Sequence, residues 1–243
     1  MRRIYTLLTG AALALAGQAQ SYDDLWKQAR EADKKDLPQT ALKATTQIRD
    51  KATAEQDKAQ LLKAMLLMHQ YGGDIAPDSA RVMVERMEQA LAHETDSVGK
   101  ALWRAALGQL YEGADGYRRW GSEDYEGNEQ KAHDYFTSSL DQLELLGKAR
   151  VKDYLPLFTP GAESRHYDDD LLHVLYRTAM DSRTLKTTEK QVLRQRVLAY
   201  YQAQGNQAAT LLLNLEALEA ERSGRRIKGR LEECAYFGQL QKL

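Results

Sequence analysis

Apolar residues recur every three or four positions along almost all of the chain after residue 19, and this spacing predicts amphipathic α-helices. No stretch alternates Val, Ile and Thr with polar residues as a β-strand would, and strong helix formers dominate the composition. The predicted fold class is therefore all-α. The predicted helices are 22–35, one from Pro38, 59–71, one from Asp78 or Ser79, 97–113, 129–146, one from Asp168, and two or three within 187–243.

Helix ends are predicted from local chemistry. Gly72-Gly73 is expected to end the third helix, because glycine readily adopts the left-handed conformation that follows a helix C-terminus. Asp168 is expected to begin a later helix, because carboxylates are favourable at the positive end of the helix dipole.

Two stretches interrupt the helical pattern. Residues 113–128 are rich in Gly, Asp and aromatic residues and are predicted to be irregular. The segment 147–167 contains Pro156 and Pro160, which break helices, so it is predicted to join two halves of one helical domain that covers 20–243.

The helices carry part of a tetratricopeptide pattern. Leu107-Gly108 followed by Tyr111 matches the first helix of that repeat, and Ala132 followed by Phe136 matches the second. The join between the two parts is about twelve residues longer than the repeat requires. We therefore predict stacked antiparallel helical hairpins that form a tetratricopeptide-like α-solenoid.

Residues 1–19 have the composition of a signal peptide. Arg2 and Arg3 precede an apolar stretch over 4–16, and 17–19 supply a small-x-small cleavage site. The apolar stretch is shorter than the ~20 residues that span a bilayer. We expect an exported protein of the periplasm or cell envelope, with no transmembrane segment in the mature chain.

Charge and cysteine content narrow the classes of partner. Removing Arg2 and Arg3 with the leader takes the net charge from −1 to −3, which is nearly neutral for 243 residues. This charge predicts no binding to nucleic acid or to an anionic membrane. Cys234 is the single cysteine, so an internal disulfide is impossible, and its apolar neighbours predict that it is buried.

The sequence lacks the common catalytic motifs. It has no His-Glu-x-x-His, no Gly-x-Ser-x-Gly and no Gly-x4-Gly-Lys, so we expect no enzymatic activity, cofactor or metal. The enzymatic alternative is a metal hydrolase that uses His166, Asp170 and His173, which would lie near one face of a helix. The simpler interpretation is that acidic residues cap a helix and His173 packs behind them.

Aromatic residues concentrate around the irregular stretch. Tyr111, Tyr117, Trp120 and Tyr125 form a candidate protein-binding surface, because helical repeats often bind peptides on their concave face. The alternative, which we favour, is that these side chains only cover the end of a hairpin.

Several segments, in this order, resemble the beginning of large bacterial alpha-2-macroglobulin-like proteins of the cell envelope, and the similarity covers about 21–215. The segments include YDDLWKQAREADKKDLPQTALK, QLLKAMLLMHQY, DIAPDS, KALWRAALGQLY and HYDDDLLHVLYRTA. The resemblance implies a helical region that precedes macroglobulin β-sandwich domains. Such proteins trap proteases with a bait region and, in many members, a Cys-Gly-Glu-Gln thioester.

This chain contains no Cys-Gly-Glu-Gln, and Ala235 follows Cys234, so no thioester residue carries over. The expected function is a non-catalytic exported scaffold, a truncated product or fragment, that docks protein partners or the missing macroglobulin domains. An interaction with proteases is implied only by the family resemblance. The alternative is a free-standing tetratricopeptide-like adaptor that binds peptides or proteins.

Overall fold

The computed structural model describes residues 20–114, 123–159, 161–224, 238–239 and 242. Over these residues the chain forms ten α-helices and no β-strand, which confirms the all-α prediction. The helices are α1 (Tyr22–Asp33), α2 (Pro38–Glu55), α3 (Lys58–Ile75), α4 (Pro77–His93), α5 (Ser97–Ala114), α6 (Glu123–Ser139), α7 (Leu143–Lys148), α8 (Leu171–Asp181), α9 (Thr187–Ala203) and α10 (Gln207–Gly224). In this part of the chain no helix combines the length and the apolar character that crossing a bilayer requires.

Helices that follow one another in sequence pack together. α1 to α4 contact one another in succession, and α5 packs on α6 as α9 packs on α10. Most of these connections are only a few residues long, so the packed neighbours run antiparallel. The main hydrophobic cluster includes Met65, Leu107, Phe136, Leu175 and Leu213 and thus reaches from α3 to α10.

The α5–α6 hairpin brings together the residues of the tetratricopeptide pattern. Leu107, Ala132 and Phe136 are buried. A Cβ at Gly108 would lie 3.0 Å from ring atoms of Phe136, so glycine allows the two helices to approach closely at this point.

The predicted glycine stop in α3 is wrong, because the helix continues through Gly72 and Gly73 to Ile75. A Cβ at Gly72 would lie 3.4 Å from Cβ of Ser79, and a Cβ at Gly73 would lie 3.5 Å from Cβ of Ala80. The two glycines therefore lie where α3 and α4 approach closely, and this packing outweighs the local tendency to end the helix.

The predicted side-chain caps of α4 are also wrong. Ala76 has an extended backbone and no capping side chain, and Pro77 is the first residue of the helix. Proline fits a first helical turn and disfavours a helical conformation in the residue before it. Neither Asp78 nor Ser79 is therefore the N-cap.

The single helix predicted over 129–146 is divided into α6 and α7. Three consecutive hydroxyl side chains bond carbonyl oxygens in the last turns of α6: Thr137 to His133, Ser138 to Asp134 and Ser139 to Phe136. Such bonds compete with helical hydrogen bonding, which explains an end that no glycine or proline marks.

The connector between α7 and α8 contains two short 3-10 turns, Val151–Tyr154 and Ser164–Tyr167. Its ends are joined by backbone hydrogen bonds from Val151 to Asp169 (2.8 Å) and from Leu171 to Ala149 (3.0 Å). These bonds fix the entry to α8 beside the exit from α7.

Candidate functional site

Tyr111, the described member of the predicted aromatic surface, lies between α4, α5 and α6. Its ring stacks on Tyr135 with a centroid separation of 5.8 Å. Both hydroxyls donate hydrogen bonds to Oε1 of Glu88, at 2.7 Å from Tyr111 and 3.1 Å from Tyr135. Burial raises the pKa of Tyr135 to about 12, and the Glu88 carboxylate adds to this effect.

Lys131 completes this cluster. Its Nζ lies 4.7 Å from the centroid of the Tyr111 ring and donates a hydrogen bond of 3.0 Å to the hydroxyl. The hydroxyl of Tyr111 is thus already hydrogen-bonded within the protein. Tyr117 and Trp120 lie outside the described residues, as does the side chain of Tyr125, and a binding surface of the four aromatics stays a prediction.

His166, Asp170 and His173 do not share a helix face as the metal alternative requires. His166 lies in a 3-10 turn, and Asp168 and Asp169 have left-handed φ angles of 56° and 52°. α8 begins only after them, three residues later than predicted. Over the described residues, no three His, Cys, Asp or Glu side chains are arranged to hold a metal.

Asp170 caps α8 from a buried position. Its carboxylate accepts hydrogen bonds from the backbone N–H of His173 (2.9 Å) and from the Tyr201 hydroxyl (3.0 Å). Burial raises the pKa of Asp170 to about 7, against the effect of these two donors. The residue therefore ties α9 to the start of α8.

A cavity of about 620 Å³ lies between α5, α8 and residues 159 and 161–164. Its volume is within the range of small-ligand sites in proteins. Its lining combines an apolar part with carboxylates, hydroxyls and one guanidinium. The apolar side chains are those of Phe136, Val151 and Val174, and the carboxylates are those of Glu112, Glu163 and Asp181. The hydroxyls belong to Thr159, Ser164, Thr178 and Ser182, and the remaining polar side chains are Gln109, His173 and Arg177.

Among the lining residues that the structure describes, negative charge is in excess. Three carboxylates, from Glu112, Glu163 and Asp181, face the cavity together with one described cation, Arg177. The Arg177 guanidinium donates to Oε2 of Glu216 at 3.1 Å, so its charge is already paired. Burial lowers the pKa of His173 to about 4, so this imidazole is neutral at pH 7.

Glu112 fixes one edge of the cavity. Its Oε1 accepts hydrogen bonds from the Ser182 hydroxyl (2.9 Å) and from the backbone N–H groups of Arg183 and Thr184. One carboxylate at the end of α5 therefore holds the loop between α8 and α9 and positions Asp181, which precedes that loop.

Glu216 holds three helices together behind the cavity. It lies on α10 and accepts hydrogen bonds from Tyr176 (2.9 Å) and Arg177 on α8 and from Arg194 on α9. The Arg194 side chain is only 7% exposed, so this interaction is largely shielded from water.

His133 joins α6 to α9. Its Nε2 lies 3.0 Å from Oε1 of Glu189 and its Nδ1 lies 3.2 Å from Oδ1 of Asp134. The hydrogen bond to Glu189 is the largest cause of a raised pKa of His133, and Asp134 adds to it. Both ring nitrogens therefore favour the protonated imidazolium.

We expect the stability of the protein to fall as the pH rises through the raised pKa of His133. Because the pKa of His133 is higher in the folded state, protonation of its imidazole stabilises the fold. This stabilisation is complete below about pH 6.5, the pKa of histidine in the unfolded chain, and is lost when the pH exceeds the folded-state pKa. The effect is small because solvent screens this partly exposed pair. Urea titrations of wild type and His133→Gln between pH 6 and pH 9 measure it, and equal pH profiles would contradict it.

The three carboxylates of the cavity carry no signal in the sequence that would have identified them, although His173 and Phe136 of the same lining were noted for other reasons. Glu112, Glu163 and Asp181 belong to three separate segments, and none of them is part of a recognisable motif. Only the packing of α5 against α8, with the connector beside them, brings the three carboxylates to one place.

Comparison with known proteins adds no relative from which to interpret this site. The chain matches no protein-family model, and searches of curated proteins and of solved structures found no match either. The interpretation therefore depends on the residues of the chain and on their geometry.

Proposed function

We propose that this chain is a non-catalytic helical scaffold that binds proteins, exported to the periplasm or cell envelope. In this proposal the chain is the N-terminal helical module of an alpha-2-macroglobulin-like protein. Within that context it docks protein partners or macroglobulin domains encoded outside this sequence. A role in protease defence belongs to the whole protein and follows only from the resemblance.

The observation that carries the scaffold proposal is the use of half-buried carboxylates to join helices. Glu88 on α4 bonds tyrosines of α5 and α6, Glu112 on α5 bonds the loop after α8, and Glu216 on α10 bonds α8 and α9. Each carboxylate is satisfied by donors from other elements. Their chemistry thus supports a fixed arrangement of helices rather than a reacting group.

The resembling segments support the module context. The first covers α1 and the start of α2, and QLLKAMLLMHQY lies within α3. KALWRAALGQLY lies within α5, and the last segment covers the entry to α8 and most of that helix. The resembling segments thus coincide with helices or helix starts of this chain.

The size of the native polypeptide tests the module proposal. Immunoblotting of cell-envelope fractions with antibodies against residues 21–243 is expected to detect a band several times larger than 27.5 kDa. A band at the size of the chain alone, or one confined to the cytoplasmic fraction, would contradict the module. Tagging the chromosomal copy provides the control for antibody specificity.

A free-standing adaptor is the second candidate function, and the cavity between α5 and α8 is the observation that favours it. Its volume is within the range of sites that bind small ligands, and polar side chains converge on it. An adaptor predicts that the isolated chain binds short peptides and that Thr178→Trp, which fills the cavity, abolishes this binding. Retained affinity in a folded Thr178→Trp protein would contradict the use of this cavity.

A further inference from the structure

We infer that the cavity between α5 and α8 binds a basic side chain, an ammonium or guanidinium group carried on an aliphatic stem. The inference rests on the binding role proposed for this cavity and names the chemical class of its ligand. Three observations support it: the charge of the lining, the position of the apolar residues and the free carboxylates.

The charge of the lining favours a cation. Glu112, Glu163 and Asp181 outnumber Arg177, whose guanidinium is held by Glu216. Charges of one sign that line a concave site focus the electrostatic potential there and attract the opposite charge. An anionic ligand would meet three carboxylates, while the neutral His173 adds no compensating positive charge.

Apolar side chains give the cavity a place for an aliphatic stem. Val174 is half-buried and leaves apolar surface open to the cavity, while Phe136 and Val151, each 1% exposed, contribute almost none. Long basic side chains cover apolar surface with their methylene groups and keep the charged end in a polar setting. The lining thus offers both of the environments that lysine or arginine requires.

Two of the carboxylates are available for a new ion pair. Glu163 and Asp181 are exposed, and neither makes a side-chain hydrogen bond or ion pair with another described residue. Glu112 accepts its loop contacts through Oε1. A bound cation would therefore gain partners without breaking an interaction that holds the fold.

An NMR titration of the isotope-labelled chain tests the inference with two matched probes. The probes are blocked pentapeptides, Gly-Gly-Lys-Gly-Gly and the same peptide with norleucine in place of lysine. We expect the lysine peptide to shift the amide signals of Asp181 and Ser182 and to bind roughly tenfold more tightly than the norleucine peptide, a difference that salt reduces. A third probe, 1,5-diaminopentane, shows whether a free amine suffices or a polypeptide must carry it.

The double variant Glu163→Gln/Asp181→Asn is expected to lower the affinity for the lysine peptide about tenfold. The charge-matched control Glu31→Gln/Glu219→Gln, at two exposed positions that do not line the cavity, is expected to leave the affinity unchanged. Because none of these side chains makes a contact between described elements, both proteins are expected to fold.

Three outcomes would overturn the inference, and they remain distinguishable. Equal affinity for both peptides, with shifts at the cavity, would contradict the preference for a basic ligand but not the adaptor function. Absence of binding by either peptide would contradict both the preference and the adaptor function. Binding of the lysine peptide that the double variant leaves unchanged would also overturn the inference, because it would place the cation elsewhere.

Discussion

Replacing Glu216 by alanine is expected to destabilise the protein by about 3 kcal/mol, near the lower end of the cost of removing one partner of a buried ion pair. The substitution leaves Arg194, only 7% exposed, without its carboxylate, and it removes the acceptor of the Tyr176 hydroxyl. Glu216 itself is 19% exposed, which admits some water and moderates the loss. Urea-induced unfolding followed by circular dichroism measures the change.

The matched control for this prediction is Glu219→Ala on the same helix. Glu219 is exposed and makes no hydrogen bond or ion pair with a described residue, so its replacement is expected to change stability by less than about 0.5 kcal/mol. Equal effects of the two substitutions would show that the contacts of Glu216 do not hold α8, α9 and α10 together.

Replacing Gly147 by alanine is expected to cost about 2 kcal/mol, the usual penalty for an added group in a filled space. Gly147 is buried near the end of α7, and a Cβ there would overlap the hydroxyl oxygen and Cζ of Tyr200 and lie 2.7 Å from its Cε1. The Tyr200 ring cannot yield freely, because it packs edge-on against Tyr201 at 5.2 Å. Thermal and urea unfolding of the variant check the loss.

Gly113→Ala separates this steric effect from helix propensity. Gly113 lies in α5, and beyond its own turn of helix no atom of the described residues lies within 4 Å of its added Cβ, so alanine is expected to stabilise the protein by roughly 0.5 kcal/mol. The double variant Gly147→Ala/Tyr200→Ala is expected to lose less than the sum of its single variants. Strict additivity would contradict the proposed clash.

The part of the fold that could be predicted from the sequence is the part determined locally. Leu25, Ala29 and Ala32 predict the buried face of α1, and Pro38 predicts the start of α2. These signals depend on periodicity and on the geometry of single residues. The helix class and several boundaries therefore follow from short windows of sequence.

The α4 start was mispredicted for a local reason, Pro77, but two other wrong predictions come from interactions that periodicity does not report. Gly72-Gly73 is a typical helix stop, but the approach of α4 keeps it helical. The end of α6 depends on Ser139 and the hydroxyls before it. Neither effect is visible in the spacing of apolar residues.

The cavity could not be predicted from the sequence, because it is formed by contacts between residues distant in sequence. The aromatic prediction identified Tyr111 as notable, and this residue does lie at a junction of three helices, where its hydroxyl bonds Glu88. The neighbouring Glu112 accepts the hydrogen bond that shapes the cavity edge, yet no sequence pattern distinguishes it from the other glutamates of the chain. Its role arises only when α5 meets the loop after α8.

A double-mutant cycle on Glu216 and Arg194 tests most directly whether the half-buried carboxylates hold the helices together as a scaffold. We expect a coupling free energy of about 1.5 kcal/mol or more between Glu216→Ala and Arg194→Ala, since paired groups in contact are not additive. A coupling near zero would contradict it, because Glu216 would then be free to serve another role.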